Sequence, residues 1–241
     1  MSGLGAVVFV VVAALLPATR PDQGHATRGA TPDARRFWLL VTVAVLATAG
    51  AIVAYTYVAL FVTEHTAMAA TSVGAILLAR GIASVLGILA VGVLVDRNPW
   101  LALITTVALQ SLALLGLYAL GHRPVAAVVL IALAGLAFAA FTATLGGLVL
   151  QVAPGRSDLA AATVSAAVNV GITGGAFVGG LTLSSHGVHR TVLIGALLSI
   201  VALVLALTAP LRAVPSVPGA RRPAVSGRGR TRLPRSARSA R

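Results

Sequence analysis

The sequence predicts an all-α integral membrane protein, and three observations carry that fold class. Of the 241 residues, 58% are apolar and only 10% are charged, with a mean hydropathy of +0.99. So few polar side chains could not cover the surface of a soluble globule. The same figures exclude disorder over most of the chain, which needs low hydrophobicity and high charge. Finally, apolar runs recur at the length of a membrane span, roughly 20 residues for a hydrocarbon core of about 30 Å. Six such runs cover residues 37–62, 70–95, 100–120, 125–152, 159–184 and 191–209. They are continuously apolar rather than alternating, so their backbone groups are satisfied within helices and not in a closed barrel.

In chain order, residues 3–16 come first, an apolar stretch of 14 residues. At about 1.5 Å per residue it reaches only ~21 Å, which makes it a partial transmembrane helix. It has no basic leading region and no small-residue cleavage site, so it does not read as a signal peptide. Residues 17–36 hold four Arg, two Asp and three Pro and predict a polar cytoplasmic linker. Residues 37–209 then form a bundle of six transmembrane helices. Residues 210–241 carry nine Arg, five Pro and no acid, the composition of a disordered basic tail. Such a tail helps to fix topology, and it can be drawn to anionic lipid by about 1 kcal/mol per Arg near the surface. Nucleic acid is not an expected partner, because the tail has no aromatic side chain on which a base could stack.

Orientation follows from the arginines, because cytoplasmic loops accumulate positive charge. The chain has 18 basic residues, all Arg, and a net charge of +13. Placing residues 17–36 inside puts 15 Arg on the cytoplasmic side and leaves only Arg123 and Arg190 outside. Both ends of the six-helix block are therefore expected in the cytoplasm of a cell membrane. The chain contains no Cys, which excludes disulfides, thiolate nucleophiles and Cys-ligated metals. It also lacks a phosphate-binding Gly-rich loop with Lys, paired carboxylates, and a Ser-His-Asp set at one membrane level, so no enzyme and no cofactor is expected. His186 and His189 are three apart, a spacing that can ligate a metal on a helix, but they lie in an outer loop with no nearby carboxylate and no metal is expected there. Glu64 and His65, in the first outer loop, read as solvated.

Two motifs carry more information. Gly92-Val93-Leu94-Val95-Asp96-Arg97 stands where the second run leaves the membrane, and Asn98-Pro99-Trp100 follows it. Glycine there would let two helices approach, and the Asp could sit against a helix N-terminus, where the macrodipole favours an anion. Further on, Ala153-Pro154 precedes a small-residue stretch with Ser165, Asn169, Gly171, Gly174, Gly175, Gly179 and Gly180. Within it, Gly171, Gly175 and Gly179 repeat at the four-residue interval of close helix packing.

The first motif resembles the G-x-L-x-D-R signature of the major facilitator superfamily, in the weaker form of its second copy. The second is similar to helix 11 of the drug–proton antiporter and sugar-efflux branch of that family. The resemblance runs from residue 3 to about residue 212. It implies that the six runs correspond to helices 7–12, residues 3–16 to the end of helix 6, and residues 17–36 to the central cytoplasmic loop. The family fold has two six-helix halves around a midplane site. This chain would supply the C-terminal half, and its partners would be the lipid bilayer, a small-molecule substrate and a second six-helix half. That half would be a separate chain, a second copy or an N-terminal segment. The implied activity is efflux of small organic solutes, drugs or sugars, by alternating access. No Asp or Glu lies within a span, so a proton-carrying carboxylate would have to come from the other half. The alternative is a non-transporting membrane protein whose basic tail binds anionic lipid or partners.

Several residues stand out as site candidates. Arg80 is the one charge inside a run, about 14 Å from its outer end and close to the midplane. A charge there costs at least ~2.5 kcal/mol and marks a functional site by default; the alternative is an Arg bonded to carbonyls in a packed interface. It would bind an anionic substrate group or a carboxylate of the other half. Asn169, Tyr55 and Gln110 are further candidates for the cavity wall, as are Tyr57, Thr142 and Thr144, although interhelical hydrogen bonds are the commoner use of such side chains. Gly92, Asp96 and Arg97 are candidates for an inner gate, with Asp96 and Arg97 as a charge pair.

Overall fold

The computed structural model describes residues 32–208. The 3–16 segment, the 210–241 tail and most of the 17–36 linker lie outside the described residues. Six long helices occupy the six apolar runs: α1 (Ala34–Thr56), α2 (Ser72–Arg97), α3 (Pro99–Leu120), α4 (Pro124–Val152), α5 (Ser157–His186) and α6 (Val188–Thr208). Each is long and apolar enough to cross a membrane, and among the described residues there is no strand.

Local chemistry sets the helix boundaries. α1 begins at Ala34, inside the expected linker, because Asp33 caps it: the carboxylate accepts from the Arg36 backbone N–H at 3.1 Å and pairs with the Arg36 guanidinium at 3.4 Å. Asn98 ends α2 in extended backbone and caps α3, accepting from Leu101 N–H at 3.1 Å. Pro99 and Pro124 open α3 and α4 at a position where a missing N–H costs no hydrogen bond. α5 ends at Gly187, whose φ of +80° suits glycine, and α6 follows at Val188.

The first apolar run departs from one continuous helix. α1 stops at Thr56; Tyr57 takes φ −108°, ψ 17°, and the chain continues through the short turn Val58–Leu60 into a π-helical turn, Phe61–His65. This break rotates the last residues of the run into the turns between α3 and α4 and between α5 and α6. There the Thr66 hydroxyl donates to the Gly121 carbonyl at 2.8 Å. His65 stacks on His189 at 4.3 Å between ring centroids, and His189 stacks on Tyr118 at 4.2 Å while its Nε2 meets the Tyr118 carbonyl at 2.8 Å. His65 is thus half-buried in a clasp rather than solvated. His186 and His189 do not converge: His186 is exposed and engages the Ser185 hydroxyl at 2.7 Å.

α1 packs against α5 and α6, α4 packs against α2 and α3, and α3 closes the bundle against α6. Small residues permit the closest approaches, which in lipid are driven by van der Waals contact. A Cβ at Gly171 would lie 2.7 Å from the Val45 carbonyl oxygen, one at Gly175 2.7 Å from that of Ala49, and one at Gly179 2.7 Å from the Tyr57 ring. α1 is the centre of the bundle, with 67% of its apolar stretch buried; α2 and α5 are the least buried, at 17% and 28%. α2 rests mainly on α4 and leaves most of its circumference open.

Candidate functional site

Arg80 stands eight residues into α2, about 12 Å along it. Its stem lies in a notch made by Gly135 of α4: a Cβ on Gly135 would be 2.5 Å from Arg80 Cγ. Ser84, one turn on, donates to the Arg80 carbonyl at 2.9 Å. From this seat the guanidinium reaches across to α1 and lies over the Tyr55 ring, 3.9 Å from its centroid. That is close for a cation–π contact, which forms within about 6 Å. No carboxylate of the described residues pairs with it.

Arg80 and Tyr55 wall a cavity of about 20 Å³ whose lining also includes Gln110 of α3 and Ile131 of α4. Gln110 is fully buried. Its amide nitrogen donates to the Ala47 carbonyl and to the Ser199 hydroxyl, both at 2.8 Å, tying α3 to α1 and α6. The amide oxygen is buried with no hydrogen-bond partner among the described residues. An open groove of about 470 Å³, bounded by Ile52, Leu77, Ile172 and Ala176, adjoins the cavity and shares Tyr55 and Val58 with it. Three of the cavity candidates, Arg80, Tyr55 and Gln110, are therefore brought together.

Asn169 is not among them. It is exposed on α5 and donates to the Ser165 carbonyl at 3.1 Å. By helical spacing it shares a face with Ile172 and Ala176 and lies about one turn from the groove's edge at Ile172. Thr142 and Thr144 spend their hydroxyls on the carbonyls of Ala139 and Ala140 in their own helix. Tyr57 instead donates to the Ala176 carbonyl at 3.3 Å, joining α1 to α5.

At the Asn98 end, Gly92, Asp96 and Arg97 are all exposed. Nothing lies within 4 Å of a Cβ built at Gly92, so the expected close approach is not made to another helix of this bundle. Asp96 and Arg97 form no ion pair with each other or with other described residues. The cap of α3 is Asn98, whose side chain, adjacent to the first helical residue, reaches the free N–H groups. Gly135, which seats Arg80, was not anticipated; a single glycine within an apolar run gives no sign of which helix will approach it.

Comparison with known proteins places this arrangement in a class. The family model of the Major Facilitator Superfamily matches residues 39–239, and the chain belongs to that superfamily. The match extends through most of the basic tail, beyond the residues that carry the motifs. Among curated proteins, the chain is 28% identical over 202 residues to a probable sugar efflux transporter of Mannheimia succiniciproducens, covering 83% of this chain and 51% of that one. It is 32% identical over 174 residues to an uncharacterized MFS-type transporter of Bacillus subtilis, 70% of this chain and 44% of that one. A probable sugar efflux transporter of Helicobacter acinonychis is 26% identical over 206 residues, with shares of 84% and 52%. The chain thus spans about half the length of the curated relatives it matches, and it is a multi-pass membrane protein with a six-helix bundle of the superfamily's half-fold.

Proposed function

We propose that the chain acts as the C-terminal six-helix half of a transporter that exports small organic solutes across the cell membrane. It works by alternating access, with both ends of the six-helix block in the cytoplasm. The observation that carries this reading is Arg80, a cation on the least buried helix, α2, that lines a cavity next to a groove bordered by α2 and α5. A membrane-embedded charge that faces a cavity is characteristic of a substrate or ion path. The exposed faces of α2 and α5 are where a second six-helix bundle would close the path, and rocking of the two bundles would expose the site to each side in turn. Sugar efflux is the activity named for two of the relatives and is the first substrate class to test. In the inner gate, Asp96 and Arg97 would meet partners on the second bundle, which accords with their exposure here. Any coupling proton would be carried by a carboxylate outside the six spans, which contain none in mid-membrane.

The test is export from cells that carry the full transporting assembly with Arg80→Ala. Loss of export or a changed substrate range is expected. Unchanged export of every transported solute would make Arg80 a structural residue and remove the main support for this reading.

A further inference from the structure

We propose that the Arg80 cavity and the adjoining groove form one site for an amphipathic organic anion, with a carboxylate-sized head, a neighbouring O–H or N–H donor, and a small apolar body. This rests on the transport reading and adds a substrate class to it. Arg80 itself requires the anion. The five acids of the sequence are Asp22, Asp33, Glu64, Asp96 and Asp158, and all lie outside the spans or at their ends. The countercharge for Arg80 must therefore come from outside the six-helix bundle. Its guanidinium face is occupied by the Tyr55 ring, but the N–H donors of a guanidinium lie in its plane and stay available at the edge for a bidentate oxyanion.

Gln110 requires the donor. Its amide nitrogen is used twice, and its oxygen is buried and unpartnered in a side chain that lines the same cavity. A carboxylate alone would leave that oxygen unsatisfied; an adjacent hydroxyl or amino group supplies the missing hydrogen bond. The cavity volume, about 20 Å³, admits a single polar group or a water, so only the donor enters it and the carboxylate stays outside, against the guanidinium edge. The rest of the molecule must lie beyond Tyr55 and Val58, in the groove walled by Ile52, Leu77, Ile172 and Ala176. Those walls are apolar, and the groove's volume of about 470 Å³ falls within the usual range for small-molecule sites. A neutral sugar would satisfy Gln110 and leave Arg80 without a countercharge.

The experiment is equilibrium binding of radiolabelled salicylate to the full chain in lipid nanodiscs, with empty nanodiscs as background. Its neutral analogue, 2-hydroxybenzyl alcohol, is the control. Salicylate carries a carboxylate, an adjacent hydroxyl and an apolar ring. It is expected to bind at least about 10-fold more tightly than the alcohol, the scale of one charge-assisted hydrogen bond. Arg80→Gln should erase that preference and Arg80→Lys keep part of it. Leu77→Trp, which narrows the groove and keeps the Arg80 charge, should weaken salicylate and would serve if Arg80→Gln failed to fold. Equal binding of acid and alcohol, retention of the preference in Arg80→Gln, or no salicylate binding would each overturn the proposal. The last result is also expected if a carboxylate of a second bundle neutralises Arg80. Export that depends on Arg80 while salicylate does not bind would leave the transport reading standing and remove only this inference.

Discussion

Arg80 depends on a residue that has no side chain. Gly135 provides the notch for its stem, and a methyl group there would lie 2.5 Å from Arg80 Cγ and 3.0 Å from the Arg80 carbonyl. Gly135→Ala is expected to destabilise the bundle by about 1–3 kcal/mol, as overpacking does. Part of that loss should disappear in an Arg80→Ala background, because the closer of the two contacts is gone. Thermal unfolding of the single and double variants in detergent measures the coupling, and strictly additive losses would mean that Gly135 does not seat Arg80. Gln110→Leu removes two buried hydrogen bonds between helices and should cost about 0.6–2 kcal/mol in the same assay. At this scale the sequence exposed the charge and the polar residues but not their grouping. Arg80 is conspicuous in an apolar run, whereas Asn169 and Gln110 are equally conspicuous and differ only in which face their helices turn inward.

Among the elements, helices were legible and their ends less so. Hydropathy locates a span because lipid forces the backbone into helix, but it does not register the break at Tyr57, where the flanking residues, Thr56 apart, remain apolar or aromatic. That break forms the clasp of His65, His189 and Tyr118. The pKa of His65 is held below the ordinary imidazole value, first by burial and then by the nearby His189 and His122. The folded state therefore favours neutral His65. The contribution is complete above about pH 6.5 and is lost as the pH falls through the lowered folded value. The same turns carry Arg123 and Arg190 against the single acid Glu64, so added protons there meet further positive charge. Thermal midpoints measured from about pH 7.5 down to about pH 5 should fall more steeply for the wild type than for His65→Phe, which keeps the stack without the titration. Parallel curves would mean that the clasp does not sense pH. The α1–α5 contact offers a second test at this scale. Gly175→Leu would force these helices apart at the Ala49 carbonyl, with an expected loss of about 1–3 kcal/mol. Leu at Gly174, where a Cβ meets nothing within 4 Å, should be tolerated.

For the whole molecule, the decisive feature is asymmetry of burial: α1 is wrapped by its neighbours, while α2 and α5 present apolar faces that no described residue covers. The chain spans about half the length of the curated relatives it matches. The apolar runs alone could locate the six spans, because they reflect the membrane rather than tertiary contacts. The uncovered faces were not legible, since lipid-facing and bundle-facing residues are equally apolar. A transporter should tolerate deletion of residues 213–241, whereas a scaffold acting through its basic tail should lose function; export or partner capture by the truncated chain separates the two.

For the chain to act as half of a transporter, its α2–α5 side must border a water-accessible path and its α3–α6 side lipid. The chain has no cysteine, so single substitutions can be labelled without background. Labelling by a water-soluble maleimide in native membranes should modify cysteines placed at Leu77, Asn169 and Ile172. It should leave those at Leu112 and Val201, exposed on α3 and α6, unmodified. If both sets resist the reagent alike, α2 and α5 face lipid and the chain is not one wall of a transport path.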